Sequence, residues 1–220
     1  GMDSYSKGYI DALVDAQSHI DGYFFLEESL SPALLDAMQK VCPITPNQDG
    51  AETPAYVYSH YFLGRRATAL ARIDLLNKLS QNFDVTVYTH ADCKDILPTA
   101  IYGGKIDYYD TMPTVFQHSK INLNITLKTI QTGIPLRAWD ILGCSGFLLT
   151  NFQQELCDFF IPGEDFVYYE SPPDAIEKAA YFLSHDRERQ EIAHNAFEKI
   201  AASHTFIIGF KVCLILYDLF

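Results

Sequence analysis

The sequence has few cationic residues for its length. Its 220 residues include 16 Lys and Arg against 28 Asp and Glu, which gives a formal net charge of -12. A chain with this surplus of negative charge does not attract nucleic acid or anionic lipid over its whole surface. We therefore expect no nucleic acid among its partners, although a local basic pocket for a phosphorylated ligand is compatible with the net charge.

Long apolar runs and paired cysteines are also lacking. The closest approach to a membrane span is residues 206–220, but Lys211 and Asp218 interrupt it, and no run reaches the roughly 18 residues that a spanning helix needs. The 5 cysteines are odd in number and show no Cys-x-x-Cys spacing. Because no secretory signal is visible, we expect reduced cysteines and a cytoplasmic location.

Short catalytic signatures are missing as well. The sequence contains no HExxH, GxSxG, Walker or GxGxxG pattern, and its histidines do not have the spacing of metal ligands. We therefore predict no metal site, and the residues alone do not identify a catalytic group.

Residues 2–55 are predicted to form a helical arm and a linker. Ser31 and Pro32 fit the N-cap and the first position of a helix. The stretch 42–55 is rich in Pro, Asn, Asp and Gly, which favours a linker. We place the main domain at residues 56–220.

Within the main domain, predicted strands alternate with predicted helices. The strands are expected at 56–63, 85–88, 106–109, 121–126, 147–150 and 166–169. The helices are expected at 65–80, 112–118, 135–142, 153–160, 173–184, 187–202 and 205–219. Such alternation predicts an α/β fold with a doubly wound parallel sheet, whose ligands bind outside the carboxyl ends of the strands.

The stretch Gly133 to Asn151 (GIPLRAWDILGCSGFLLTN) is the centre of the prediction. It reads as a short helix followed by a buried strand, and Thr132 and Gly133 leave the helix N-terminus without a side-chain cap. An uncapped N-terminus suits a phosphate group. Asp140 either caps or solvates a turn or presents its carboxylate to sugar hydroxyls, and Arg137 is placed to pair with it.

Two further groups of polar residues have both a structural and a functional interpretation. Arg65 and Arg72 follow a predicted strand, and arginine matches phosphate oxygens, but from these residues alone the preferred interpretation is solvated arginines at a helix start. Asn122, Asn124 and Thr126 alternate on one face of a predicted central strand and Lys128 follows them. Either the three form an internal hydrogen-bond network, or the end of the strand, Thr126 to Thr132, lines the ligand crevice.

Residues 56–220 resemble the C-terminal, nucleotide-sugar-binding half of GT-B glycosyltransferases. The resemblance is to the glycosyl transferases group 1 set and, within it, to the spore-maturation glycosyltransferase-like family. The motifs that carry it are YFLGRRATALARIDLLNKL (61–79, matching a first strand and helix), MPTVFQHSKINLNIT (112–126), GIPLRAWDILGCSGFLLTN (133–151), PGEDFVYYES (162–171) and IAHNAFEKIAASHT (192–205). It implies a Rossmann-like domain, one half of a GT-B fold.

The resemblance also implies roles for matched positions. Asp140 stands where related enzymes have the second glutamate of an E-x7-E pair, which holds the donor ribose. Thr132 stands in place of the first glutamate, and this is a departure from the family pattern. Arg65 and Arg72 stand roughly where a basic pair clamps the diphosphate. The predicted nucleotide-sugar site consists of Arg65, Arg72, Lys128, Thr132, Gly133, Arg137 and Asp140.

The resemblance implies a glycosyltransferase that takes a nucleoside-diphosphate sugar as substrate, without a metal or another cofactor. The acceptor domain of a GT-B enzyme has no room in this chain, so we expect it on a partner chain or upstream, and no transfer by the chain alone. Two alternatives are a non-catalytic nucleotide-sugar-binding or interaction module and a sugar-nucleotide epimerase. The apolar face of the segment 206–220 also makes a homodimer an alternative partner arrangement.

Overall fold

The structure, a computed structural model, describes residues 1–45 and 52–203. Its contacts divide the chain into two compact units, and each is described here by itself. The helical unit comprises the described residues of 1–81 together with 96–99 and 126–131. The sheet unit comprises residues 82–95, 100–125 and 132–203.

Capped helices build the helical unit. Its elements are α1 (Ser4–Ser18), α2 (Pro32–Val41), α3 (Pro54–Val57), a π-helical segment (Tyr58–Leu63) and α4 (Gly64–Ser80). The Ser31 hydroxyl accepts a hydrogen bond from the N–H of Leu34, and Pro32 occupies the first turn, so the predicted start of α2 is confirmed. The core of this unit contains buried side chains of α1, α2 and α4, with Val14, Leu26 and Ala67 fully enclosed.

The predicted strand at 56–63 is wrong, because this segment is helical from Pro54 to Leu63. The Thr53 hydroxyl accepts from the N–H of Tyr56 and so caps the helix start. Tyr58 is buried, and its hydroxyl donates to Gln39 and to the Cys42 carbonyl. A continuous apolar and aromatic run does not distinguish a strand from a buried helix. The missed signal was Thr53-Pro54, the same capping pattern that identified α2.

This correction also changes where residues 56–81 belong. They pack in the helical unit together with α1, and the motif at 61–79 is helical throughout. The functional division into residues 2–55 and 56–220 stays a prediction.

The sheet unit contains all the described strands. Its elements in order are β1 (Thr86–Tyr88), β2 (Ile101–Gly104), α5 (Met112–His118), β3 (Asn122–Asn124), α6 (Leu136–Gly143), β4 (Leu148–Asn151), a 3-10 helix (Gln154–Asp158), β5 (Val167–Tyr169), α7 (Pro172–Ser184) and α8 (Asp186–Ser203). Most of the predicted elements after residue 81 are confirmed within a few residues. The exception is the strand predicted at 106–109, which is wrong, because the strand runs over Ile101–Gly104 and a turn follows it.

Two small parallel sheets form in this unit. β1 pairs with β2, and a second sheet has the order β3-β4-β5. In the second sheet Asn124 lies beside Thr150, and Thr150 lies beside Tyr168. The parallel pairing and the mixed α/β class are confirmed, whereas the doubly wound arrangement of a GT-B half stays a prediction.

The strand β4 is the buried centre of the second sheet. Leu148, Leu149 and Thr150 are almost fully inaccessible to solvent, as the continuous apolar run at 147–150 predicted. Leu148 packs with Ile141 and Leu142 of α6 in the core of the sheet unit. α6 is therefore held by its apolar face, and its position is set by this core.

An ion pair between a buried carboxylate and a partly exposed lysine ties the loop before β5 to α8. Asp165 is 1% exposed, and its Oδ2 accepts from the N–H of Ile161 and from the ammonium group of Lys199. The Asn195 amide donates to the carbonyl of Glu164 in the same loop. These contacts fix the start of β5 against the last described helix.

The helix predicted at 205–219, and with it the apolar face proposed for a homodimer, lies outside the described residues. Among helices in the described ranges, none is long and apolar enough to cross a membrane.

The turn between α6 and β4 generates a stability prediction. A Cβ atom on Gly146 would lie 2.8 Å from both the Asn122 Nδ2 and the Phe116 carbonyl oxygen, whereas one on Gly143 would meet nothing within 4 Å. We expect Gly146→Ala to lower the free energy of unfolding by about 1–3 kcal/mol, because backbone cannot yield as a flexible side chain does.

The matched control is Gly143→Ala, which should leave the free energy of unfolding unchanged or raise it by up to about 1 kcal/mol through helix propensity. Urea unfolding followed by circular dichroism measures both changes. Equal effects of the two substitutions would contradict the close approach at Gly146.

Candidate functional site

The candidate site lies around α6, the helix between the parallel strands β3 and β4. α6 packs against both strands. A helix that connects two parallel strands runs back along the sheet, so its N-terminus lies on the side where the first strand ends. The sequence prediction placed ligands at this carboxyl edge.

The N-terminus of α6 has no side-chain cap. Gly133 has a φ of 95°, a left-handed conformation that favours glycine, and the chain then enters the helix through Pro135. Pro135 takes the N-cap position, one residue before its predicted place in the first turn, and its ring provides no hydrogen-bond acceptor. The predicted uncapped helix start is thus confirmed, and its first N–H groups give a partial positive charge.

Asp140, one turn into α6, accepts a hydrogen bond from a tyrosine. The Tyr108 hydroxyl donates to Asp140 Oδ2 at a distance of 2.7 Å. Asp140 is half-buried, and the Tyr108 side chain is 43% exposed. The hydrogen bond to the carboxylate, with smaller contributions from burial and from the charge of Asp140, raises the pKa of Tyr108. The phenol is therefore a hydrogen-bond donor at neutral pH.

The predicted pairing of Arg137 with Asp140 is not found among the ion pairs of the described residues. The Arg137 guanidinium instead lies over the Phe116 ring, 5.4 Å from its centroid, and Nη1 contacts the Met112 sulfur. Both partners belong to α5, so Arg137 joins α6 to α5. Its charge still acts on Tyr108 and opposes the rise in that pKa.

Tyr108 is the site residue that the sequence prediction missed. It lies in a turn that Asp107 fixes, because Asp107 Oδ1 accepts from the N–H groups of Tyr109 and Asp110, each at 2.8 Å. The Asp107 carbonyl also accepts from the N–H of Met112. The signal was Asp107 followed by a helix start at Met112-Pro113, which indicates an Asx-type turn rather than a strand.

The polar residues of β3 form an internal network, as their structural interpretation predicted. Asn122 Nδ2 donates to the Phe116 carbonyl at 2.8 Å, and Asn124 Nδ2 donates to Thr150 Oγ1 at 3.0 Å. The side chains of Asn122, Asn124 and Thr150 are all buried. Their amide and hydroxyl groups stabilise the sheet.

Three of the predicted site residues belong to the helical unit. Arg65 is exposed, and its guanidinium lies 5.7 Å from the centroid of the Tyr61 ring. Arg72 is exposed on the same helix, α4. Lys128 is largely enclosed, since its side chain is 8% exposed and its ammonium donates to the Ile20 carbonyl at 2.6 Å. Burial lowers the pKa of Lys128, although Asp21 opposes the change.

The other four, Thr132, Gly133, Arg137 and Asp140, belong to the sheet unit. Thr132 and Gly133 are exposed in the segment that leads into α6. The structure therefore brings together the helix start, Arg137 and Asp140, and adds Tyr108 to them.

Within the ranges that the structure describes, no cluster of three or more His, Cys, Asp or Glu side chains has the geometry to hold a metal ion. The groups that the site offers are a carboxylate, a guanidinium, a phenol and the N–H groups of a helix start. These suit a ligand that carries both hydroxyl and anionic groups.

In a comparison with protein-family models, residues 66–207 match the family described as glycosyl transferase-like. The match covers more than half of the chain and includes α6 with Arg137 and Asp140. Comparison with curated proteins and with solved structures gave no match.

The Tyr108–Asp140 contact generates a titration prediction. Asp140→Asn should lower the pKa of Tyr108, because it removes the carboxylate that accepts the hydrogen bond of the phenol and, with it, the negative charge that disfavours the phenolate. Tyrosine-selective 13C labelling and NMR titration measure this pKa, with Tyr108→Phe assigning the resonance.

Tyr181 is the internal control, since its pKa is raised in the same way by a hydrogen bond to Glu188. The titration of Tyr181 should not change on Asp140→Asn. An unchanged Tyr108 titration in that variant would show that the two side chains are not bonded in solution.

Proposed function

The chain belongs to the glycosyl transferase-like family, and we propose that it binds a nucleoside-diphosphate sugar as the donor-binding half of a GT-B glycosyltransferase. The observation that supports this best is the position of the Asp140 carboxylate, one turn from the uncapped N-terminus of α6. The family match includes this helix, and the resemblance assigns its carboxylate to the donor ribose.

Asp140 is proposed to hold the ribose of the donor. Its Oδ2 is bonded to Tyr108, and within the described part of the chain no residue donates to Oδ1. A carboxylate oxygen accepts hydrogen bonds from hydroxyl groups, and such charge-assisted bonds are stronger than neutral ones. One oxygen thus anchors the side chain and the other is available to a ligand.

The start of α6 is proposed to receive the diphosphate. The first N–H groups of a helix point along its axis, and together with the helix dipole they favour a phosphate group. Gly133 brings the chain into the helix without a Cβ atom, and Thr132 offers a hydroxyl where the family pattern has a glutamate. Stabilisation of the departing diphosphate is the electrostatic work that such a site performs during transfer.

Arg65 and Arg72 were predicted to contact the donor diphosphate and Lys128 to belong to the nucleotide-sugar site, and all three lie in the helical unit. Their contact with a donor stays a prediction. The donor is a substrate in this proposal, and no cofactor or metal is part of it.

Asp140→Ala tests the proposal. The substitution should weaken binding of a nucleoside diphosphate by about 1–3 kcal/mol, because it removes a charge-assisted hydrogen bond and leaves a ribose hydroxyl unpaired. Calorimetric titration with the diphosphates of uridine, guanosine, adenosine, cytidine and thymidine measures the affinities.

Glu177→Ala is the control for this titration, because it removes an exposed carboxylate of α7. Its affinities should equal those of the unaltered chain. The donor-site proposal is wrong if none of the five diphosphates binds at millimolar concentration.

A turnover assay separates the donor half of an enzyme from a non-catalytic module. We expect the 220-residue chain alone to bind donor without consuming it, because in a GT-B enzyme the cleft that excludes water forms between two domains. Consumption of radiolabelled donor is measured with a broad acceptor extract, with and without an added N-terminal GT-B domain.

Turnover by the chain alone would contradict this expectation. Turnover that needs the second domain supports the donor half of an enzyme. Binding without turnover in every mixture favours the non-catalytic module.

A further inference from the structure

The Tyr108 hydroxyl donates a hydrogen bond to the Asp140 carboxylate. This hydrogen bond joins two separate elements of the sheet unit. The tyrosine comes from the turn before α5, and the aspartate comes from α6. We propose that Tyr108 is a positioning residue that fixes the Asp140 carboxylate so that its Oδ1 receives a ribose hydroxyl. This inference rests on the donor-site function proposed above and adds a residue that the family pattern does not name.

The turn that carries Tyr108 is held firmly enough for this role. Asp107 Oδ1 binds two successive N–H groups of the turn, and the Asp107 carbonyl binds the N–H of Met112 at 2.9 Å. The phenol therefore projects from an ordered turn that leads directly into a helix. A side chain that is oriented by a rigid neighbour loses less freedom when it binds a ligand.

The Asp140 carboxylate has a competing partner in Arg137, and this is why its orientation needs to be fixed. Arg137 precedes Asp140 by one turn of α6, a spacing at which oppositely charged side chains pair. In the structure the Arg137 guanidinium lies on α5 instead, over Phe116. The Tyr108 hydroxyl binds Asp140 Oδ2 and so keeps the carboxylate away from Arg137. Without that hydroxyl, the carboxylate is free to turn toward Arg137 and to lose its orientation toward a ligand.

Tyr109 offers a matched control in the same turn. Its ring packs edge-to-face on Tyr108 with centroids 5.2 Å apart, but its side chain is 83% exposed. No described residue bonds its hydroxyl, so Tyr109→Phe removes one oxygen atom from the same turn without touching Asp140.

The test compares Tyr108→Phe with Tyr109→Phe in calorimetric titrations. The probes are the most tightly binding ribonucleoside diphosphate of the panel above and its 2′,3′-dideoxy counterpart, which lacks the hydroxyl groups that Asp140 would bind. We expect Tyr108→Phe to weaken binding of the ribonucleotide about three- to tenfold, which is less than the tenfold or more expected for loss of a direct hydrogen bond to a charged group, because Tyr108 acts through Asp140. Its effect on the dideoxy probe should stay within about twofold, as should both effects of Tyr109→Phe.

A double-mutant cycle identifies the route of the effect. If Tyr108 acts through Asp140, the pair Tyr108→Phe and Asp140→Asn should weaken ribonucleotide binding no more than Asp140→Asn alone. Circular dichroism and the thermal midpoint of each variant establish that it is folded.

Each outcome separates this inference from the function on which it rests. If no diphosphate binds the unaltered chain, both are wrong. If Asp140→Asn weakens ribonucleotide binding and Tyr108→Phe does not, the donor site stands and the positioning role is overturned. Equal losses for the ribose and dideoxy probes in Tyr108→Phe, or additive losses in the cycle, also overturn it.

Discussion

The hydrogen bond from the Asn122 amide to the Phe116 carbonyl is the interaction on which the geometry of the candidate site depends. It joins β3 to α5 inside the sheet unit, and Gly146 leaves room for it where the chain passes from α6 to β4. Tyr108 immediately precedes α5, and Asp140 lies on α6. A buried amide that must be satisfied thus holds α5, and with it the turn that carries Tyr108, against β3.

Much of the sheet unit follows from local sequence patterns. The apolar run at 147–150 became the buried strand β4, and the helices predicted at 112–118 and 173–184 became α5 and α7. The strand prediction at 56–63 was wrong because a short aromatic run fits a strand and a buried helix equally well. The Thr53 cap, which the prediction did not use, distinguishes the helix. The strand prediction at 106–109 was wrong because the Asp107 side chain accepts a hydrogen bond from the following backbone and so forms a turn. A pattern of apolar residues does not reveal such a turn.

The candidate site was predictable only in its local part. The uncapped start of α6 and the exposure of its polar side follow from Gly133, Pro135 and the spacing of apolar residues. The partner of Asp140 did not follow, because Tyr108 lies 32 residues away in sequence and the nearer Arg137 was the expected choice. Arg137 pairs elsewhere because an aromatic ring and a sulfur atom of α5 lie under its guanidinium, a fact of tertiary packing.

The helical unit includes residues 126–131, and this membership has a consequence for synthesis of the chain. The Lys128 ammonium bonds the carbonyl of Ile20, 108 residues earlier. The Lys128 N–H also donates to the hydroxyl of Thr68 on α4. The ribosome must therefore have made β1, β2, α5 and β3 before the helical unit has all its parts. The helical unit is therefore complete only after part of the sheet unit has been synthesised, and the segments of the two units emerge in an interleaved order rather than one unit after the other.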